Sequence, residues 1–304
     1  MPSPTYIGRL APSPTGLLHL GHARTFWTAF TRARATNGKL WLRDEDLDPQ
    51  RSRADFAAAM RGDLRWLGIT WDEEAKQSDR LALYRNAMQQ LLASGHVYPC
   101  SCSRRDLQQA TQAPHEEETA DPQEDLADEP IYRGTCRPAT NPGAPCPDFR
   151  TWESGPPPLA LAANTNYRFR VPDNERIAFT DLHAGPQTFR AGCDPTADFG
   201  DFLVWRKALR QIPGDIGLPS YQLACAVDDA AMHVTEVVRG RDLLKSTARQ
   251  ILLQRALSLP TPAYFHCDLM HDAAGVRLAK RHDALSLRAL RDSGYTPEQI
   301  RGKF

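Results

Sequence analysis

The chain has 304 residues, 41% of them hydrophobic and 24% charged, a balance that argues against both a disordered polymer and a membrane-embedded protein. Lys plus Arg (37) equals Asp plus Glu (37), which argues against indiscriminate coating of nucleic acid but does not exclude a local basic footprint. No run approaches 18 apolar residues and no basic-then-apolar leader opens the chain, so no membrane association and a cytoplasmic location are expected.

Residues 5–9 read as a short strand, and the APSPTG stretch at 11–16 forces a turn, since two prolines and a glycine continue neither regular element. Phe26, Trp27, Ala29 and Phe30 then recur at helical spacing and predict a helix over about 21–35. Residues 39–43 read as a second strand, followed by an acidic loop and a helix after Pro49. This strand–helix–strand opening predicts a parallel α/β sheet. Residues 78–94 form an amphipathic helix, with Leu81, Tyr84, Met88, Leu91 and Leu92 near one side and Gly95 as its stop. Residues 114–130 carry eight carboxylates and no Lys or Arg and read as an acidic loop; 140–158 is Pro- and Gly-rich irregular connection. Alternation over 166–171 returns the chain to strand. The apolar runs 200–206, 220–227 and 235–238 are further elements, 242–257 is helical, and 286–304 is short and helix-like with a break at Pro297.

Seven cysteines, an odd number, make no evident disulfide framework in a chain of this size. Cys100 and Cys102 are better read as thiol or metal residues, and Cys225, in an apolar segment, as a buried small residue. His19 and His22 stand one helical turn apart at a predicted helix start, where imidazoles and backbone N–H groups suit a phosphate chain; Gly21 removes a side chain from the crowded turn. Taken alone, such a histidine pair is more often surface or packing.

Gly8-Arg9-Leu10-Ala11-Pro12-Ser13-Pro14-Thr15-Gly16, followed by His19-Leu20-Gly21-His22, changes that balance. It resembles the opening of the class I aminoacyl-tRNA synthetases, most closely the glutamyl and glutaminyl branch. Residues 43–48 (RDEDLD), 71–73 (WDE), 78–80 (SDR), Tyr221, 227–229 (VDD) and 237–243 (VVRGRDL) are similar to later segments of that family, so the resemblance covers roughly 4–285. It implies a Rossmann-like parallel α/β sheet with an inserted zinc-bearing, acceptor-type subdomain and a short helical C-terminal part. The corresponding expected units are 1–98 and 196–258 for the two catalytic halves, 99–195 for the insertion, and 259–304 for the ATP loop and terminal helices.

The resemblance implies ATP and an aminoacyl-adenylate intermediate, with His19, His22 and Lys280 catalytic and Gly21, Arg277 and Arg281 completing the ATP site. Ala279 departs from the serine usual in that loop. For glutamate it implies Arg9, Ser13, Glu45, Tyr221 and Arg239: Glu45 suits the ammonium, either arginine can fork a carboxylate, and Tyr221 adds a neutral donor. Truncated members of the branch hold a structural Zn²⁺ through Cys-x-Cys…Tyr-x-x-x-Cys, which carries over to Cys100, Cys102, Tyr132 and Cys136. His115, Cys146, Cys193, Cys225 and Cys267 stay open as rival ligands. Mg²⁺ is expected with ATP. The chain ends soon after Lys280, and in this it is most similar to the truncated glutamyl-queuosine branch. That likeness implies L-glutamate, ATP and the anticodon stem-loop of queuosine-modified tRNA(Asp) as substrates, with a monomer expected. Arg206, Lys207 and Arg210 are either an RNA-phosphate contact or a solvated face. The alternatives are conventional charging of tRNA(Glu) and a noncatalytic, synthetase-like RNA-binding protein.

Overall fold

In the computed structural model, β1 (Ile7–Leu10) pairs in parallel with β2 (Lys39–Asp44), Ile7 opposite Lys39. Parallel neighbours need a crossover element, and α1 (Leu20–Ala35) supplies it, burying Leu20, Ala23, Phe26, Ala29 and Ala33. Arg32 and Arg34 in its last turn complement the helix dipole. After α2 (Ala54–Trp66), β3 (Glu73–Lys76) extends the sheet in parallel beside β2. A 3₁₀ turn at Gln77–Arg80 leads into α3 (Leu81–Ala93), which buries Tyr84, Ala87, Met88, Leu91 and Leu92. Gly95, at φ 70°, takes the left-handed conformation that ends it. The structure describes residues 5–102, 131–132, 134–138, 161, 165–208, 216–270 and 286–304. The expected acidic loop, the 140–158 connection, His115, Cys146, Arg210 and the whole 277–281 ATP loop lie outside the described residues.

Strands β4 (Val97–Cys100) and β5 (Asn166–Phe169) are antiparallel neighbours. The β6 (Arg176–Asp181) and β7 (Gly185–Arg190) strands form a hairpin that the sequence reading did not anticipate. Next, β8 (Phe202–Arg206) and β9 (Leu218–Pro219) complete an antiparallel sheet in the order β4-β5-β8-β9. After α4 (Tyr221–Ala231), strand β10 (Glu236–Gly240), helix α5 (Leu244–Ala256) and strand β11 (Ala263–Cys267) repeat the parallel crossover. The β6–β7 hairpin joins this second sheet through Tyr264 opposite Asp181, giving the order β10-β11-β6-β7. The two parallel sheets adjoin at β1: Thr235 N–H donates to the Ile7 carbonyl at 2.8 Å, and Arg9 Nη1 to the Val238 carbonyl at 2.8 Å.

The chain closes with α6 (Leu287–Asp292) and α7 (Pro297–Arg301). The expected break at Pro297 is a helix start. Thr296 and Gln299 form a reciprocal cap, and proline at the first helical position forfeits only an N–H with no intrahelical partner. Leu287, Leu290 and Ile300 pack with Leu10, Leu18, Phe26, Met60 and Leu64, so the terminal helices seal one side of the first sheet. Among the described residues no helix is long and apolar enough to cross a membrane.

Candidate active site and cysteine cluster

The proline-rich loop after β1 is pinned to the segment after β2. The Pro12 carbonyl accepts the Glu45 N–H at 3.0 Å and the Pro14 carbonyl the Arg53 N–H at 3.0 Å, which sets exposed Ser13 close to Glu45. His19 caps α1, its Nδ1 accepting the Gly21 N–H at 3.1 Å, and the His19 and His22 ring centroids lie 3.8 Å apart. A Cβ on Gly21 would stand 3.0 Å from His19 Cε1, so a larger residue would press on the capping ring. His19 also bridges to Ser286, and the Leu18 carbonyl accepts the Leu287 N–H at 2.8 Å. After residues 271–285 the chain therefore re-enters directly beside the histidine turn.

A buried charge network lies behind Glu45. Arg43, fully buried, donates through Nη1 to Asp229 at 2.6 Å and through Nη2 to Glu45 Oε1 at 3.1 Å, and its Nε lies 3.8 Å from Asp228. Asp228 is saturated by Arg80 (2.7 Å), Gln77 (2.9 Å) and Tyr84 (2.7 Å). Cys225 donates its thiol to Glu45 Oε1 at 3.2 Å, and burial followed by the Glu45 charge pushes that thiol well up, so it stays protonated. It is the buried residue expected from sequence, with a polar contact as well. Burial likewise pushes up the Tyr221 hydroxyl at the start of α4, a group that also feels Cys225, Arg239, Glu45 and Arg9. These side chains converge on one place.

On the other side of that convergence, Arg239 of β10 donates to three neutral acceptors. They are His266 Nε2 (3.1 Å), Gln250 Oε1 (2.9 Å) and Thr247 Oγ1 (2.5 Å). His266 in turn faces Asp181 Oδ2 through Nδ1 at 2.6 Å. Arg9 lies 3.6 Å from Asp229 through Nε. The structure thus gathers Arg9, Glu45, Tyr221 and Arg239, with Ser13 nearby on the pinned loop and the histidine turn just after it. Lys280, Arg277 and Arg281 are not among the described residues. Sequence reasoning quoted Arg43, Asp228 and Asp229 only as motif letters and missed Asp181, His266, Thr247 and Gln250 altogether. The hairpin spacing around Gly185 was the one signal that could have drawn notice to Asp181.

Apart from this pocket, Cys100, Cys102 and Cys136 place their sulfurs within 4.8 Å of one another. Cys102 and Cys136 are 3.5 Å apart, and the Tyr132 hydroxyl is 3.7 Å from Cys100 Sγ and 3.9 Å from Cys102 Sγ. Tetrahedral zinc with thiolate bonds of about 2.3 Å sets neighbouring ligands about 3.8 Å apart, so these four donors have the spacing of one closed site. Burial raises Cys136, but donors from Tyr132, Ser101 and Cys102 outweigh it and lower the thiol to about 6, which readies it as a thiolate. Arg168 lays its guanidinium 4.1 Å over the Tyr132 ring and donates to Cys100 Sγ at 3.3 Å, whereas burial and the Cys136 contact push the Cys102 thiol up to about 11. Cys193 stands outside the cluster, against Arg137 at 3.1 Å.

Two parallel half-sheets meeting beside a histidine-capped helix, with buried arginines and a carboxylate at their junction, are the architecture of a class I synthetase catalytic domain. The chain belongs to the family of class I tRNA synthetase (E and Q) catalytic domains, whose model matches residues 7–134 and 165–303. Within that class it is 45% identical over 305 aligned residues to Glutamyl-Q tRNA(Asp) synthetase of Symbiobacterium thermophilum, spanning 97% of this chain and 84% of that protein. It is 42% identical to the protein of the same name from Rhodopirellula baltica, spanning 97% of this chain and 82% of that one. Glutamate-tRNA synthetase of Elizabethkingia anophelis shares the fold, at a TM-score of 0.68 and 23% identity over 96% of this chain. The chain covers 54%, about half, of that longer one.

Proposed function

We propose that the chain activates L-glutamate with ATP and transfers it to the queuosine base at the wobble position of tRNA(Asp). Family membership and the names of its relatives support this reading, and one observation in the pocket carries it. Arg239 is buried and, among the described residues, donates to three neutral acceptors, so of its five N–H groups two remain for a carboxylate. Across from it, Glu45 has one oxygen held by Arg43 and Cys225, which leaves the other for an ammonium. A dicarboxylic amino acid satisfies both groups.

In this mechanism the glutamate α-carboxylate oxygen attacks the α-phosphorus of ATP; the new O–P bond forms as the bond to pyrophosphate breaks. His19, His22 and the α1 N-terminus hold the phosphates, and Lys280 with Arg277 and Arg281 neutralises the developing charge. Six residues after Lys280 the described chain resumes at Ser286, which is tied to His19, and this favours a shared phosphate site. Mg²⁺ enters with ATP. A hydroxyl of the modified base then attacks the activated carbonyl and AMP leaves; alignment supplies most of the rate. Arg206 donates to the Leu47 carbonyl at 2.9 Å, so Lys207, which is exposed, is the better phosphate contact of that basic cluster. The four-donor cluster holds a structural zinc that fixes the segment around Cys136.

The test is glutamate-dependent ATP–pyrophosphate exchange, followed by glutamylation of queuosine-containing tRNA(Asp), queuosine-free tRNA(Asp) and tRNA(Glu), with mapping of the attached glutamate. Exchange together with base-linked product on the first RNA only is expected. Product on tRNA(Glu) alone, or no exchange, refutes the reading.

A further inference from the structure

We infer that Asp181 and His266 are positioning residues that set the preference for glutamate over glutamine, by fixing which N–H groups Arg239 presents to the substrate. This rests on the reading of Arg239 as the carboxylate fork.

Arg239 is fixed from three sides, and one of the three acceptors has a choice of state. Thr247 and Gln250, both on α5, offer oxygens to Nη2 and Nη1. His266, on the neighbouring strand β11, offers Nε2 to the Arg239 Nε–H at 3.1 Å. A nitrogen that accepts cannot also carry a proton, so the ring proton sits on Nδ1, facing Asp181 Oδ2 at 2.6 Å. Burial and the Arg239 charge lower His266 to about 4, so the ring is neutral at physiological pH. The pair selects a tautomer in the way a buried carboxylate does for a catalytic histidine, here in the service of a binding group.

Among the described residues Asp181 itself meets only donors. Oδ1 accepts the His183 and Ala184 N–H groups at 3.0 and 2.7 Å, and Oδ2 accepts His266 Nδ1 and the His266 N–H, the latter at 3.1 Å. It is the last residue of β6, so the carboxylate caps the hairpin turn and orients the ring at once. An amide at this position opposes an N–H to a donor whichever way it is turned. Turned toward the ring, it drives the proton to Nε2, where it confronts the Arg239 Nε–H and competes with Arg239 Nη2 for Thr247 Oγ1, 3.0 Å from Nε2. The guanidinium must then rotate, and the two N–H groups left for substrate lose their common direction. Glutamate, which uses both in charge-assisted bonds, loses more than glutamine does.

The experiment is steady-state pyrophosphate exchange with glutamate and with glutamine for wild type, Asp181→Asn, His266→Phe, His266→Gln and the Asp181→Asn/His266→Gln double variant. KM values do not depend on the folded fraction of a preparation. Asp181→Asn is expected to raise KM for glutamate at least tenfold, to leave KM for ATP within twofold, and to lower the glutamate-to-glutamine ratio of kcat/KM at least tenfold. His266→Gln, whose amide oxygen accepts from Arg239 without help, is expected to fall well below His266→Phe in KM for glutamate. In that background Asp181→Asn should add less than twofold, the coupling expected of two residues acting through one contact. An unchanged glutamate KM and discrimination ratio in Asp181→Asn, or additive effects in the double variant, overturn the inference. Absence of exchange in the wild type instead overturns the functional reading on which it rests.

Discussion

Replacing Arg43 by methionine tests the charge network behind the pocket. Arg43 is fully buried and serves Asp229 at 2.6 Å, Glu45 at 3.1 Å and Asp228 at 3.8 Å. Asp228 keeps Arg80, Gln77 and Tyr84 in the variant, whereas Asp229 is left with Arg9 at 3.6 Å. The cost therefore falls on Asp229 and Glu45. Removing one partner of a buried ion pair costs about 3–5 kcal/mol, which for a chain of this size lowers Tm by roughly 10 °C. The effect has a pH signature. Burial alone raises Asp229, but Arg43 and Arg9 outweigh it and hold the carboxyl below its ordinary 3.8. Its contribution in the wild type is thus present above the unfolded pKa and lost as pH falls through the lower folded value. Without Arg43, burial dominates and the folded pKa rises, so the variant is penalised more as pH increases. Urea denaturation followed by tryptophan fluorescence at pH 4.5 and pH 8 should show a wild-type-to-variant gap that is larger at pH 8. A gap below about 1 kcal/mol at pH 8, or one equal at both pH values, refutes the assignment of Arg43 as the counter-charge of Asp229.

Lys280→Ala should slow pyrophosphate exchange by about 10²–10³-fold with an unchanged urea midpoint; normal exchange would defeat its assignment to the phosphates. Wild-type protein purified with zinc should hold about one equivalent per chain by colorimetric release, and Cys100→Ser should hold almost none. Full zinc content in that variant removes Cys100 from the ligand set. Asp63, buried on α2 with Arg291 at 3.4 Å, is raised by burial to about 6. Its folded pKa lies above the unfolded one, so its share of stability is full below about 4 and is lost as pH rises through about 6. Asp63→Asn should therefore gain up to about 3 kcal/mol at pH 8 relative to pH 4. Urea titrations showing no pH-dependent gain would contradict a buried, weakly compensated carboxyl.

The opening of the fold was legible because its signals are local. Helical spacing from Phe26 to Phe30, the proline turn at 11–16 and the glycine at 95 each act within a few residues, and the observed α1, β2 and α3 begin or end within three residues of the reading. The α4 segment was harder. Gln222 through Asp229 are all buried, so no polar face alternates with an apolar one and the period that distinguishes helix from strand is erased. In the β6–β7 hairpin the difficulty is reversed. Of the six β6 residues only Ile177 and Asp181 are buried, one of them charged, so the period-2 pattern is too thin to stand out.

The pocket separates what residue type can reveal from what it cannot. Arg9, Glu45, Tyr221 and Arg239 were identifiable through a family motif, yet nothing local distinguishes Arg43 with Asp229 from Arg34 with Asp72 or Lys39 with Glu73. All are Arg or Lys paired with a carboxylate. In the first pair the side chains are 0% and 2% exposed, and in the Arg34 pair 35% and 38%. Solvent screens the exposed pair to at most about 1 kcal/mol, while the buried one controls the orientation of Glu45 and costs several kcal/mol to break. The deciding variable is the dielectric around the pair, set by packing between segments 186 residues apart for Arg43 and Asp229 and 85 apart for Asp181 and His266. The first pair acts as one unit only once β2 packs against α4, and the second only once β6 lies beside β11, and this is why the residues proposed to bind were readable from the chain and those that orient them were not.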